Sequence, residues 1–119
     1  MSKSIPHWIK WEEMAWEKVE ENIHRKVVVG DRIMMVMYRF GPHQIWPKEI
    51  HEAEQGGYVL KGEIELNLPA EERRMVLRTG DGYLIGSKVP HSWKTFGEET
   101  ILIDIFSPPR IELIEKSLP

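Results

Sequence analysis

The chain has 119 residues, no cysteine, five histidines, five tryptophans and a formal net charge of −3. That length predicts a single domain able to bury its own core. The absence of cysteine excludes a disulfide framework, a thiolate zinc site and a cysteine nucleophile, and it fits a reducing compartment. Sixteen basic residues against nineteen acidic ones leave no basic stripe, so no nucleic-acid partner is expected. Arg73-Arg74 and Arg25-Lys26 read as solvated local pairs. No apolar run approaches the ~18–20 residues of a membrane span, and Met1 to Lys10 lacks the apolar stretch of a signal peptide. The expectation is a cytoplasmic protein without a membrane partner.

In chain order, residues 1–25 read as an N-terminal arm. Trp11, Ala15 and Val19 recur every four residues, which predicts a short helix over Glu12 to Glu21. Trp8, Trp11 and Trp16 make the arm apolar. It covers one end of its own domain or packs on a partner subunit, and a homodimer is expected on the second reading.

Residues 26–119 read as all-β. Turn signals at Gly30-Asp31, Gly41-Pro42, Gly56-Gly57, Lys61-Gly62, Pro69-Ala70, Gly80-Asp81 and Gly97-Glu98 separate short β-favouring segments. These are Lys26–Val29, Arg32–Phe40, Tyr58–Leu60, Glu63–Leu68, Arg74–Arg78, Tyr83–Ile85, Ser92–Phe96 and Thr100–Phe106. Within Glu63–Leu68 the apolar Ile64, Leu66 and Leu68 alternate with Glu63, Glu65 and Asn67, the period of a half-buried strand. Ile101 to Phe106 is apolar on both faces except for Asp104. Many short strands with frequent turns predict an antiparallel sandwich or barrel. Gly41 to Pro47 reads as a loop.

With five histidines and no cysteine, any metal site must use nitrogen and oxygen ligands. If Lys48 to Glu52 is extended, Glu49 and His51 point to one face. Gln55 follows after room for a tight turn, and His91 closes the segment that begins at Gly80-Asp81. A pair on one strand, a third group on the next and a histidine from a distant strand can build a metal site inside a barrel. Two histidines with one carboxylate and open positions is also the arrangement of non-haem iron sites.

These segments resemble the two motifs of a single-domain cupin. The first reads Gly41…Glu49-Ile50-His51-Glu52-Ala53-Glu54-Gln55…Gly62. The second reads Gly80-Asp81-Gly82-Tyr83-Leu84-Ile85-Gly86-Ser87-Lys88-Val89-Pro90-His91. The resemblance spans Arg32 to Arg110 and implies a small antiparallel jelly-roll β-barrel with a short N-terminal arm or helix. Within cupins, three features resemble the KdgF-type pectin-degradation proteins. They are the Trp11-Glu12-Glu13 start, Glu54-Gln55 leading into Gly57-Tyr58-Val59-Leu60-Lys61-Gly62, and the ending Asp104-Ile105-Phe106-Ser107-Pro108-Pro109-Arg110.

That resemblance implies one divalent metal ion (zinc, manganese, iron or nickel) on Glu49, His51, Gln55 and His91. It implies Asp104 and Arg110 as catalytic residues, with Phe106 and Arg110 on the substrate. The implied reaction is ring-opening or isomerisation of an unsaturated uronate. The chain departs from the family pattern at three places. Glu49 stands where the family has histidine, Gly86 stands where it has proline, and the loop Gly41 to Pro47, with His43 and Trp46, is about two residues longer. A carboxylate still binds divalent metals, but it changes the charge on the ion and the acidity of bound water.

Each residue also has a plainer reading. Glu49 is a ligand, or it hydrogen-bonds His51 or a pocket water. Gln55 is a ligand, or a hydrogen-bonding group in the pocket. Asp104 is a general acid/base, or a buried acid paired with Arg110. Arg110 grips a substrate carboxylate, or lies on the surface. Phe106, Trp93, Tyr83 and Met37 line a substrate pocket, or are core. His43 takes the place of the missing first histidine, or is a surface residue of its loop; His7 and His24 are surface residues, and Glu52 and Glu54 keep their turn soluble. Two other functions stand beside the uronate reaction: a cupin that binds a small ligand without turnover, favoured by the missing histidine, and a non-haem metal dioxygenase.

Overall fold

The computed structural model describes residues 7–115. Ten strands run β1 (Glu17–Glu20), β2 (Ile23–Val29), β3 (Met34–Phe40), β4 (Ile45–Glu49), β5 (Glu54–Lys61), β6 (Glu63–Leu68), β7 (Arg73–Arg78), β8 (Gly82–Ile85), β9 (His91–Thr95) and β10 (Thr100–Ser107), followed by the one-turn helix α1 (Ile111–Glu115). They form a six-stranded sheet in the order β1-β2-β3-β10-β5-β8 and a four-stranded sheet in the order β4-β9-β6-β7. All pairings are antiparallel.

Alternation places the core. On β3, Met34, Val36, Tyr38 and Phe40 are buried and the residues between them half-buried. On β10 the buried set is Thr100, Leu102, Asp104 and Phe106. These faces meet Ile64, Leu66, Leu77 and Trp93 of the other sheet, so the core is the inside of a closed jelly-roll barrel. Each fully buried aliphatic or aromatic side chain here contributes about 1.5–3 kcal/mol. Asp104 therefore sits at a position that the strand period reserves for apolar residues.

The expected strands all form, with ends moved by a few residues. Three segments differ in kind, the first being Gly56-Gly57, expected as a turn but paired on both sides within β5. The helix over Glu12 to Glu21 does not form: Trp11–Glu13 is a 3-10 turn, and Glu17–Glu20 is a strand. Arg25 is the cause. Its side chain is buried on β2 and needs a partner. The register Glu17↔Arg25 supplies one, with Arg25 Nε 2.6 Å from Glu17 Oε1. Asn22 takes the positive φ (69°) that the tight β1–β2 turn requires, a conformation asparagine tolerates.

Gly41 to Pro47, expected as a loop, contains the start of β4, an edge strand whose Trp46 lies opposite Trp93. Pro47 is tolerated there because an edge strand has backbone groups that pair with nothing.

The described part of the arm lies on its own domain. Lys26 Nζ donates to the Trp11 carbonyl at 2.6 Å. The Trp16 ring lies between Lys26 and Arg39, each 4.4 Å from its centroid. Among the described residues no helix is long and apolar enough to cross a membrane.

Candidate metal centre and pocket

Glu49, His51, Gln55 and His91 reach one point from three strands and a bend. β4 ends at Glu49, which lies opposite His91 at the start of β9. The chain then bends at Glu52-Ala53 and re-enters the sheet, bringing Gln55 in at the start of β5. His51 itself lies between the strands, because the expected extended segment Lys48–Glu52 ends at Glu49. The side-chain ligand atoms of Glu49, His51 and His91 nevertheless fall within 4.8 Å of one another.

The hydrogen bonds fix what these groups present. His51 Nδ1 is 2.8 Å from the Ala53 carbonyl, and His91 Nδ1 is 2.9 Å from the Val89 carbonyl. A carbonyl only accepts, so both rings carry a proton on Nδ1 and, when neutral, present a lone pair on Nε2. Gln55 Nε2 donates to Asp104 Oδ1 at 2.9 Å, which turns the amide oxygen of Gln55 toward His51 Nε2 at 3.1 Å. With a neutral ring, His51 Nε2 and Gln55 Oε1 face each other as two acceptors.

His91 Nε2 is buried and without a hydrogen-bond partner. Its nearest ionic neighbour is Glu49 Oε1 at 3.8 Å. Burial pushes the His91 pKa below the usual imidazole value, and nearby His51 and Arg110 add to this, while the Val89 carbonyl and Glu49 oppose it. With both rings neutral, two imidazole lone pairs, an amide oxygen and a carboxylate oxygen converge, and Arg110, 3.4 Å from Glu49 Oε2, offsets only part of their mutual repulsion. A divalent cation relieves that repulsion, and imidazole with carboxylate suits the borderline metals. The Nδ1–carbonyl bond on each ring is the usual support of a ligating histidine. The residues present thus fit the metal that the motif resemblance implies. His43 is exposed, at a φ of 55°, and lies outside this cluster. His7 is exposed and His24 half-buried; neither belongs to it.

Beside the cluster is a narrow pocket, lined by Tyr38, Phe40, Trp46, Glu49, Gln55, Trp93, Asp104, Phe106 and Arg110. Trp46 and Glu49 also line a wider outer chamber with Glu17, Val19, Arg25 and Leu113. Of the expected substrate contacts, Phe106, Trp93 and Arg110 line the pocket and Tyr83 does not. Tyr83 stands behind Asp104 and donates to its Oδ1 at 2.6 Å. Met37 is on the outer face of β3, paired with Ile103. The aromatic wall of Tyr38 and Phe40 was not singled out from sequence, although the alternation of β3 puts both on the inner face with Val36.

Asp104 is 5 % exposed and its carboxyl is pushed up to about 6. Burial is the main cause; the donors Tyr83 and Gln55 pull the other way, Glu49 adds to the rise and Arg110 opposes it. Asp104 hydrogen-bonds Tyr83 and Gln55 rather than Arg110. Arg110 instead lies 3.4 Å from Glu49 Oε2 and 2.9 Å from Glu112 Oε2, with its guanidinium 5.0 Å from the Phe106 ring centroid. Its side chain is 10 % exposed, so it faces the pocket and is no surface arginine.

Residues 36–106 match the family model described as "Cupin domain". The chain is 32% identical over 105 residues to the pectin degradation protein KdgF of Dickeya dadantii, covering 87% of this chain and 94% of that protein. Among solved structures, KdgF from a Halomonas species superimposes with a TM-score of 0.82 at 27% identity, covering 94% of this chain and 99% of that one. An RmlC-like cupin from Shewanella frigidimarina superimposes with a TM-score of 0.82 at 26% identity, covering 91% and 96%.

Proposed function

We propose that this chain, which belongs to the cupin domain family, is a metal-dependent enzyme that opens and isomerises an unsaturated uronate, as its likeness to KdgF proteins suggests. The observation that carries the reading is the convergence of two imidazole nitrogens, an amide oxygen and a carboxylate beside a buried acid and a pocket-facing arginine. Glu49, His51, Gln55 and His91 would hold one divalent ion, which when bound supplies Lewis-acid polarisation of a substrate oxygen.

The remaining roles belong to the chain's own groups. Arg110 offers a planar fork of donors to a substrate carboxylate. Its stacking on Phe106 and its bond to Glu112 hold that fork at the pocket wall. Its contact with Glu49 keeps the carboxylate grip next to the donor cluster. Tyr38, Phe40 and Trp46 give the pocket an aromatic side on which the apolar face of a sugar can rest. Opening a cyclic hemiacetal removes a proton from one hydroxyl and returns one to the ring oxygen, with no atom gained or lost. Asp104, with a carboxyl at about 6, is suited to take and return that proton near neutral pH.

The test follows the ultraviolet absorbance of a 4,5-unsaturated galacturonate with wild type and with Asp104→Ala. Wild type should remove the signal well above the spontaneous rate and the variant should not. Removal by wild type no faster than the spontaneous rate would end this reading.

A second reading comes from the triad Glu49, His51 and His91, which matches the two-histidine, one-carboxylate set of non-haem iron oxygenases. Substrate-dependent oxygen uptake by the iron-loaded protein would favour it over the isomerase.

A further inference from the structure

Across the six-stranded sheet, three residues form one row: Tyr83 on β8 lies opposite Gly57 on β5, and Gly57 lies opposite Asp104 on β10. Neighbouring strands are about 4.8 Å apart, so Tyr83 and Asp104 stand roughly 10 Å apart at the backbone. A tyrosine spans that gap only if the strand between them offers no side chain. Gly57 meets this need. A methyl group there would overlap the ring and hydroxyl of Tyr83. The ring crosses over Gly57, rests edge-to-face on Trp93 at 4.9 Å, and delivers its hydroxyl to Asp104 Oδ1 at 2.6 Å.

Asp104 Oδ1 therefore accepts from two donors, Tyr83 and Gln55. That leaves Oδ2 as the oxygen free to exchange a proton in the pocket. The same pair of bonds sets Gln55, because its amide can donate to Asp104 only while its oxygen faces the donor cluster.

We propose that Tyr83, seated over Gly57, is a positioning residue: it anchors one oxygen of Asp104, which commits the other to proton transfer and holds Gln55 with its amide oxygen toward the metal ligands. The kinetic arm of the test rests on the uronate reading; the metal arm does not.

The experiment compares wild type, Tyr83→Phe and Gly57→Ala. Tyr83→Phe removes only the hydroxyl, while Gly57→Ala keeps it but displaces the ring. In both variants kcat on the unsaturated uronate should fall on the order of tenfold or more, with KM within about threefold, because the lost group supports proton transfer and not substrate contact. Binding of Mn²⁺ to metal-stripped protein, measured by calorimetry, should weaken by about threefold to tenfold. That is less than the 10–100-fold of a group bonded directly to a ligand. A purely structural tyrosine would lower the melting temperature and leave both readouts unchanged per folded molecule. Mn²⁺ affinity and kcat within twofold of wild type in Tyr83→Phe would overturn the proposal. If wild type does not turn over the uronate, that substrate reading falls by itself, and the Mn²⁺ affinities of the two variants alone decide the role of Tyr83.

Discussion

Asp104→Asn in chelator-treated protein isolates the cost of a buried charge. The native carboxyl titrates at about 6, against 3.8 for the unperturbed group. Between those values the native state takes a proton more readily than the unfolded chain, so protonation favours folding. The penalty is absent below about pH 4, grows as pH rises, and is complete above about pH 6. A difference of roughly two pKa units is about 3 kcal/mol at 1.36 kcal/mol per unit. Asparagine keeps an oxygen to accept from Tyr83 and Gln55 and carries no charge at any pH. The variant should match wild type near pH 4 and exceed it by about 3 kcal/mol at pH 7 to 8. Urea unfolding at several pH values measures this. With slopes of ~1–3 kcal/mol/M, the midpoints should separate by about 1–3 M at neutral pH. Stability curves of wild type and variant that run parallel from pH 4 to 8 would refute the argument that Asp104 is a desolvated acid.

Other substitutions test other parts. His91→Ala should lose a bound divalent metal, because the partnerless Nε2 is its ligand atom, while exposed His43→Ala should keep it; elemental analysis of purified protein reads both. Arg110→Ala should raise KM for the uronate by at least about tenfold, as a lost charge-assisted contact of ~1.5–3 kcal/mol would, with a smaller change in kcat. An unchanged KM would remove the carboxylate-gripping role. Gly62→Ala should destabilise by on the order of 2–3 kcal/mol in thermal or urea unfolding. Its φ is +92°, and an added Cβ would lie 2.6 Å from the Glu99 carbonyl oxygen.

Much of this was legible in the sequence, for reasons tied to particular residues. The alternation in Glu63–Leu68 and the apolar run Ile101–Phe106 mark strands because one face of each is buried. His51 and His91 stand out because their spacing fits two ordered motifs. The strand β1 was hidden because its partner Arg25 is a buried cation, which reads as surface until the register to Glu17 is seen. The start of β4 was hidden because Pro47 and the exposed Ile45 give an edge strand no period. Arg110 and Asp104 look like a natural pair from sequence. The barrel instead gives Asp104 to Tyr83 across Gly57, a contact set by three strands in register that no local pattern encodes.

The most direct test of a metal-dependent uronate isomerase is a titration. Metal-stripped protein is given increasing Mn²⁺, Zn²⁺, Fe²⁺ or Ni²⁺, and the decay of the 4,5-unsaturated galacturonate signal is followed at each step. For at least one metal, the rate should climb linearly from the spontaneous value and level off at about one equivalent per chain. A rate that stays at the spontaneous value with every metal, or full activity in the stripped protein, would contradict it.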